Sequence, residues 1–202
     1  MTCDIILAGV GGQGVLSLAT VIAQAAATTG LKVRQSEVHG MAQRGGSVLA
    51  HLRISDQAVV SDLIPRGRAD LILSMEPLEA LRYLDFLKPE GAVVSSVETI
   101  KNMPSYPDEA EVLSVLQKLP KVRLLATAEL ARLAGNPKSA NLVLVGAASA
   151  FIPLAANAFV QAVADIFGHK GTEVIKLNLQ AFELGKTATH EGHNVSSTGL
   201  RF

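Results

Sequence analysis

The chain has 202 residues, 49% of them apolar, with 18 Lys and Arg against 18 Asp and Glu. That length fits one domain burying roughly 70% of the surface its unfolded chain exposes, and zero formal charge lacks the basic footprint of a nucleic-acid binder. A single cysteine, Cys3, excludes an intrachain disulfide and cannot provide the thiolates an iron–sulfur cluster takes.

Met1-Thr2-Cys3-Asp4 places an acid where a secretion signal wants a base, so the expectation is a cytoplasmic protein. Asp4-Ile5-Ile6-Leu7-Ala8 reads as a central parallel strand buried on both faces. Val15 to Thr28 reads as an Ala- and Leu-rich helix closed by Gly30, and Lys32 to Val38 as the second strand. The polar, Gly-rich loop His39 to Gly46 follows where a doubly wound unit would cross over by helix. Ser47 to Ile54 then alternates like a half-exposed strand, and Ser55-Asp56-Gln57 reads as a turn into Ala58-Val59-Val60, a hairpin. The sheet is therefore expected to be mixed.

Further on, Ala69 to Ser74 reads as a strand and Pro77 to Leu87 as a helix with Pro77 near its first position. Lys88-Pro89-Glu90-Gly91 reads as a turn into the strand Ala92–Ser96. Residues 108–119 form an amphipathic helix with Asp108, Glu109 and Glu111 at its positive end, and Val122–Ala126 a further strand. Helices are expected at about 128–134, 139–152, 155–167 and 172–187. The fold class is α/β: a three-layer α/β/α Rossmann-like domain over residues 1–188, with a mixed, mainly parallel sheet and a helical C-terminal third. Residues 189–202 read as a flexible tail.

Residues 5–31 and 139–164 carry no charge and each exceeds a membrane span in length. Gly9, Gly11, Gly12 and Gly14 interrupt the first and Pro153 the second, which argues against a membrane protein. The second run reads as a helix pair apolar on nearly every face, to be buried in its own core or against another chain.

Gly9-Val10-Gly11-Gly12-Gln13-Gly14 holds a G-x-G-x-x-G spacing between a strand and a helix. Glycine there suits amides approaching a pyrophosphate at a helix N-terminus, or the close approach of another chain's backbone. Glu37 lies 23 residues after Gly14, near where a dinucleotide binder places its ribose acid, but Val38-His39-Gly40-Met41 continues directly from it. In Glu37 to Val48, His39 can exchange a proton near pH 7, and Arg44 with Gly45-Gly46 can hold a carboxylate or phosphate. A solvated surface loop is the alternative reading of the same residues.

Three runs, Gly9 to Val15, Glu37 to Val48 and Ser74-Met75-Glu76-Pro77-Leu78-Glu79-Ala80, resemble the gamma domain of 2-oxoacid:ferredoxin oxidoreductases. The pattern is nearest to the small beta subunits of the indolepyruvate branch and covers about residues 4–187. The run His39 to Gly46 is its most specific part.

The resemblance implies a hetero-oligomeric complex that decarboxylates arylpyruvates with thiamine diphosphate, Mg and coenzyme A and passes electrons through [4Fe–4S] clusters to ferredoxin. Decarboxylation needs an electron sink that side chains lack. The chain has no Gly-Asp-Gly run of the kind that binds thiamine diphosphate through Mg, and one Cys. The expectation is a chain that binds no cofactor alone, is inactive alone, and depends on a large alpha subunit. On that footing Gly9, Gly11, Gly12, Gln13, Gly14, His39, Gly40, Gln43, Arg44, Gly45, Gly46, Met75 and Glu76 are the candidates to face a ligand or the partner, none with a chemical step.

Other features read plainly. His190 and His193 lack a third ligand, Cys3 is a small hydrophobe, and Phe151, Phe159, Phe167 and Phe182 are core or subunit contact. Free-standing NAD(P) or coenzyme A binding is the alternative function, and self-association of isolated chains through residues 139–167 is compatible with their apolarity.

Overall fold

In a computed structural model, which describes residues 1–39, 45–103 and 105–190, the first apolar run is β1 (Thr2–Val10), buried along nearly its whole length. It leads through the glycine turn into α1 (Val15–Thr28) and on to β2 (Lys32–His39). The chain returns as β3 (Ser47–Ser55), then β4 (Ala69–Ser74), α2 (Pro77–Arg82), β5 (Leu87–Ser96), α3 (Glu109–Gln117) and β6 (Val122–Leu125). Four helices complete it: α4 (Thr127–Leu133), α5 (Ala140–Ala148), α6 (Ala156–Phe167) and α7 (Thr172–His190). The expected tail start thus falls inside α7, and residues 191–202, with His193, lie outside the described residues.

The six strands form one sheet in the order β2-β3-β1-β4-β5-β6. β1, β4, β5 and β6 are parallel, and β3 runs antiparallel to both β1 and β2, so the sheet is mixed. The alternation of β3 is that of an inserted strand: Val48, Ala50, Leu52 and Ile54 face one core, while Ser47, His51 and Arg53 face the other side.

That insertion corrects the expected hairpin. Ala58-Val59-Val60 is not a strand. Both edges of β3 are already paired, with β2 and β1, so no ladder is left for it. The segment beyond is instead held by β3 side chains: Arg53 Nη1 donates to the Ser61 and Leu63 carbonyls at 3.1 and 3.2 Å, and the Ile64 amide donates to His51 Nδ1 at 3.1 Å.

Two more boundaries differ. α2 stops at Arg82 and a 3-10 turn, Leu84–Phe86, carries the chain to β5. Lys88–Gly91 lies within β5 as an irregularity: Leu87 pairs with Ala69 and Ala92 with Leu71, five residues against two. A Cβ on Gly91 would come within 2.6 Å of the Leu87 side chain, so the bulge depends on glycine.

One face of the sheet is covered by α1 and the C-terminal helices, the other by α2 and α3. This is the expected three-layer α/β/α arrangement. α5 is buried on every side from Leu142 to Ala148, and Phe159 of α6 stacks on Phe182 of α7 at 5.6 Å. The uncharged run from 139 therefore finds most of its cover in its own core. Among the described residues, no helix is long and apolar enough to cross a membrane.

Candidate functional site

α1 leaves β1 to reach β2 on one side, while α2 leaves β4 to reach β5 on the other, so the carboxyl ends of β1 and β4 flank the point where the winding reverses. Open α/β sheets place ligands at that crevice. Here it holds the glycine turn on one side and Ser74-Met75-Glu76 on the other.

The turn is built for closeness. A Cβ on Gly9 would lie 2.7 Å from Val15 Cγ2, 3.0 Å from Gln13 Oε1 and 3.2 Å from Met75 Cβ. Gly12 and Gly14 have φ of 102° and 85°, the left-handed region that favours glycine. Gln13 fastens the crevice: its Oε1 accepts from the Val10 amide at 2.7 Å and its Nε2 donates to the Met75 carbonyl at 2.9 Å. The Gly11 amide donates to the Gly46 carbonyl at 2.8 Å and the Gly45 amide donates to the Gly11 carbonyl at 3.2 Å. The two glycine runs singled out in the sequence are thus one continuous piece of ladder beyond β1 and β3.

A polar network continues along this edge. Ser47 Oγ donates to Glu79 Oε2 at 2.5 Å and lies 3.0 Å from the Tyr83 hydroxyl, and Arg82 Nε donates to Glu79 Oε1 at 3.0 Å. Glu76 caps α2 by accepting the Glu79 amide at 2.8 Å, and the Tyr106 hydroxyl donates to its other oxygen. Burial, followed by the Glu76 hydrogen bond and charge, pushes the Tyr106 hydroxyl above its ordinary pKa, so it stays a donor. Asn102 Nδ2 donates to the Gly45 carbonyl at 2.8 Å, and Glu98 caps α4 through the Thr127 and Ala128 amides at 3.2 and 2.8 Å.

This placement sorts the candidate residues. Gly9, Gly11, Gly12, Gln13, Gly14, Gly45, Gly46, Met75 and Glu76 come together at the crevice. Met75 and Glu76, candidates to face a ligand or the partner, have their side chains turned inward: Met75 belongs to the core and Glu76 is 1% exposed, while the Gln13 side chain joins the ends of two strands. The reason is that the short β4–α2 connection has no other group to cap α2 or fill the space beside Gly9. Gly40, Gln43, Arg44 and the His39 side chain lie outside the described residues. Ser47, Glu79, Tyr83, Asn102 and Tyr106 are additions. Ser47 and Glu79 sit inside the quoted motif runs, whereas Tyr106 carries no local signal, being 30 residues from the carboxylate it meets.

The crevice does not fit a dinucleotide. The Gly11 amide is already bonded, and β3 separates β2 from β1, so Glu37 stands two strands away, about 10 Å across the sheet. Nor do the described residues fit a metal cofactor. Among them no group of three or more His, Cys, Asp or Glu is placed to hold an ion. Cys3, the one thiol, is buried, and burial, then the charges of Asp70 and Asp4, push it up to about 12. Among the described residues, no buried side-chain nitrogen or oxygen lacks a hydrogen-bond partner. Among the described residues, the polar side chains at this edge are bonded to one another or to backbone.

Residues 4–188 match the model of the pyruvate ferredoxin/flavodoxin oxidoreductase family. The chain belongs to that family. Among members of the pyruvate ferredoxin/flavodoxin oxidoreductase family, the indolepyruvate oxidoreductase subunit IorB of Pyrococcus horikoshii is 38% identical over 95% of this chain and 98% of its own length. A 2-oxoglutarate:ferredoxin oxidoreductase from Magnetococcus marinus, solved with 2-oxoglutarate, coenzyme A and succinyl-CoA bound, superposes with a TM-score of 0.73 and 25% identity. The match covers 94% of this chain but only 31% of that longer one. A keto/oxoacid ferredoxin oxidoreductase gamma subunit from Geobacter sulfurreducens shares the fold, with a TM-score of 0.68 at 23% identity over 94% and 99% of the two chains.

Proposed function

We propose that this chain is the small subunit of a cytoplasmic indolepyruvate (arylpyruvate):ferredoxin oxidoreductase complex, supporting coenzyme A-dependent oxidative decarboxylation carried out on a large partner subunit. The observation that carries this reading is the 38% identity, along almost the full length of both chains, to an indolepyruvate oxidoreductase subunit. Thiamine diphosphate, Mg and [4Fe–4S] clusters belong to the large alpha subunit, which passes electrons to ferredoxin, and residues 1–188 act as one working unit.

The geometry supports a scaffold role. Gln13, Glu76 and Glu79 hold β1, β4 and α2 in fixed relation, and Gly12, Gly14, Gly45 and Gly46 are offered beside them to the partner or to coenzyme A. From the sequence motif, His39, Gln43 and Arg44 are assigned to the same contact, the guanidinium suited to a carboxylate or phosphate.

The test is reconstitution. The chain and the alpha subunit, purified separately, are assayed for ferredoxin reduction with indolepyruvate and coenzyme A. Neither the small chain alone nor its mixture with NAD(P) turns over, and adding the alpha subunit restores the rate. Turnover by the small chain alone overturns the reading.

A further inference from the structure

At the amino ends of the parallel strands, at the other end of β1 from the glycine turn, lies a cavity of about 300 Å³ lined by Asp4, Arg53, Pro65, Arg68 and Lys88. Its volume reaches the lower end of the range for small-molecule sites. β1 contributes Asp4, β3 contributes Arg53, the β3–β4 connection contributes Pro65 and Arg68, and β5 contributes Lys88.

Its charges do not balance. Asp4 is gripped at both oxygens by Arg53, Nε to Oδ1 at 2.9 Å and Nη2 to Oδ2 at 3.1 Å. The neighbouring carboxylate, Asp70, is also occupied at both oxygens, accepting from Lys88 Nζ at 2.5 Å and from the Asp4 amide at 2.9 Å. The remaining nitrogen of Arg53, Nη1, is bound to the Ser61 and Leu63 carbonyls. Three cations thus meet two carboxylates, and both carboxylates are used by partners other than Arg68. The Arg68 guanidinium enters the rim with no lining acid to receive it, beside the donors Lys88 has left.

We propose that this cavity is a binding site for a small oxyanion, held by a bidentate contact from Arg68 and a second charge from Lys88. The paired Arg53–Asp4 and Lys88–Asp70 units form a floor that keeps Lys88 in place, while Pro65, whose carbonyl accepts the Arg68 amide at 3.2 Å, fixes the approach of the arginine. A planar guanidinium fork matches carboxylate and phosphate oxygens alike, so the recognised chemistry is the oxyanion itself, and the probe decides between its two sources.

The experiment titrates the full chain with sodium orthophosphate and, separately, sodium succinate, against sodium chloride at matched ionic strength, following the thermal midpoint and calorimetric heat. A saturable response to either oxyanion and none to chloride is expected, and the more effective probe names the ligand's chemistry. Arg68→Ala and Arg68→Glu, at an exposed residue where the fold is not at stake, raise the half-saturating concentration at least tenfold with the unliganded midpoint unchanged. Equal responses to chloride and the oxyanions, or saturation unaltered in both variants, overturns the site.

Discussion

The Gly11 amide points at the Gly46 carbonyl, 2.8 Å away. This bond occupies the first glycine turn with protein backbone where a dinucleotide fold would leave an amide for pyrophosphate. The cause is the inserted antiparallel β3, whose entry runs alongside the exit of β1. Equilibrium dialysis with NADH and NADPH should therefore show no saturable binding to the chain. A dissociation constant in the micromolar range would mean that the turn opens.

Gln13 is the residue most directly responsible for holding that crevice together. Its side chain satisfies the Val10 amide and the Met75 carbonyl at once. Gln13→Ala leaves both without their partner, at about 1–3 kcal/mol for an unsatisfied buried group, which corresponds to a thermal midpoint lower by roughly 2–12 °C in a chain of this size. Gln13→Glu keeps the acceptor and loses the donor, so it should fall between. Differential scanning calorimetry measures both. A midpoint within a degree of wild type in Gln13→Ala would show that the bridge is not a support.

Much of this arrangement was legible along the chain. The uncharged, apolar β1 run, the glycine turn and the acids opening α3 each rest on neighbours within a few residues, where propensity and capping act. The missing crossover helix after β2 also signalled a mixed sheet. What stayed hidden was non-local. The strand-like composition of Ala58-Val59-Val60 gave no hint that both edges of β3 were taken. Tyr106 and Glu76 meet only because the loop before α3 folds back over α2. Met75 and Glu76, read as outward-facing from their position after a strand, turn inward because packing beside Gly9 and the cap of α2 required them.

The C-terminal helices depend on two glycines that face each other. A Cβ on Gly146 would lie 2.0 Å from the Phe182 carbonyl oxygen, and one on Gly185 would lie 1.9 Å from the Val143 carbonyl oxygen. α5 and α7 therefore cross with backbones in contact, and backbone cannot rotate away as a side chain can. Either Gly146→Ala or Gly185→Ala should destabilise by about 1–3 kcal/mol or more despite alanine's better helix propensity. Urea denaturation monitored by circular dichroism gives the value. An unchanged or raised midpoint would mean the helices separate without cost.

His51 ties the stability of the β3–β4 connection to pH. Its ring is buried, meets Phe86 edge-on at 5.5 Å and accepts the Ile64 amide on Nδ1, so it must be neutral there. Burial, then the charge of Arg53, hold its pKa below the ordinary 6.5. The unfolded chain therefore binds the extra proton first as pH falls. The stabilisation is complete above the unfolded value and is lost as pH drops through 6.5 toward the lower, folded value. His51→Gln, which keeps an acceptor for Ile64 but cannot titrate, should flatten this dependence. Thermal midpoints of both proteins at about pH 7.5 and about pH 5.5 test it: the wild type should lose more than the variant on acidification. Equal losses would assign the acid sensitivity to other groups and leave His51 a packing residue.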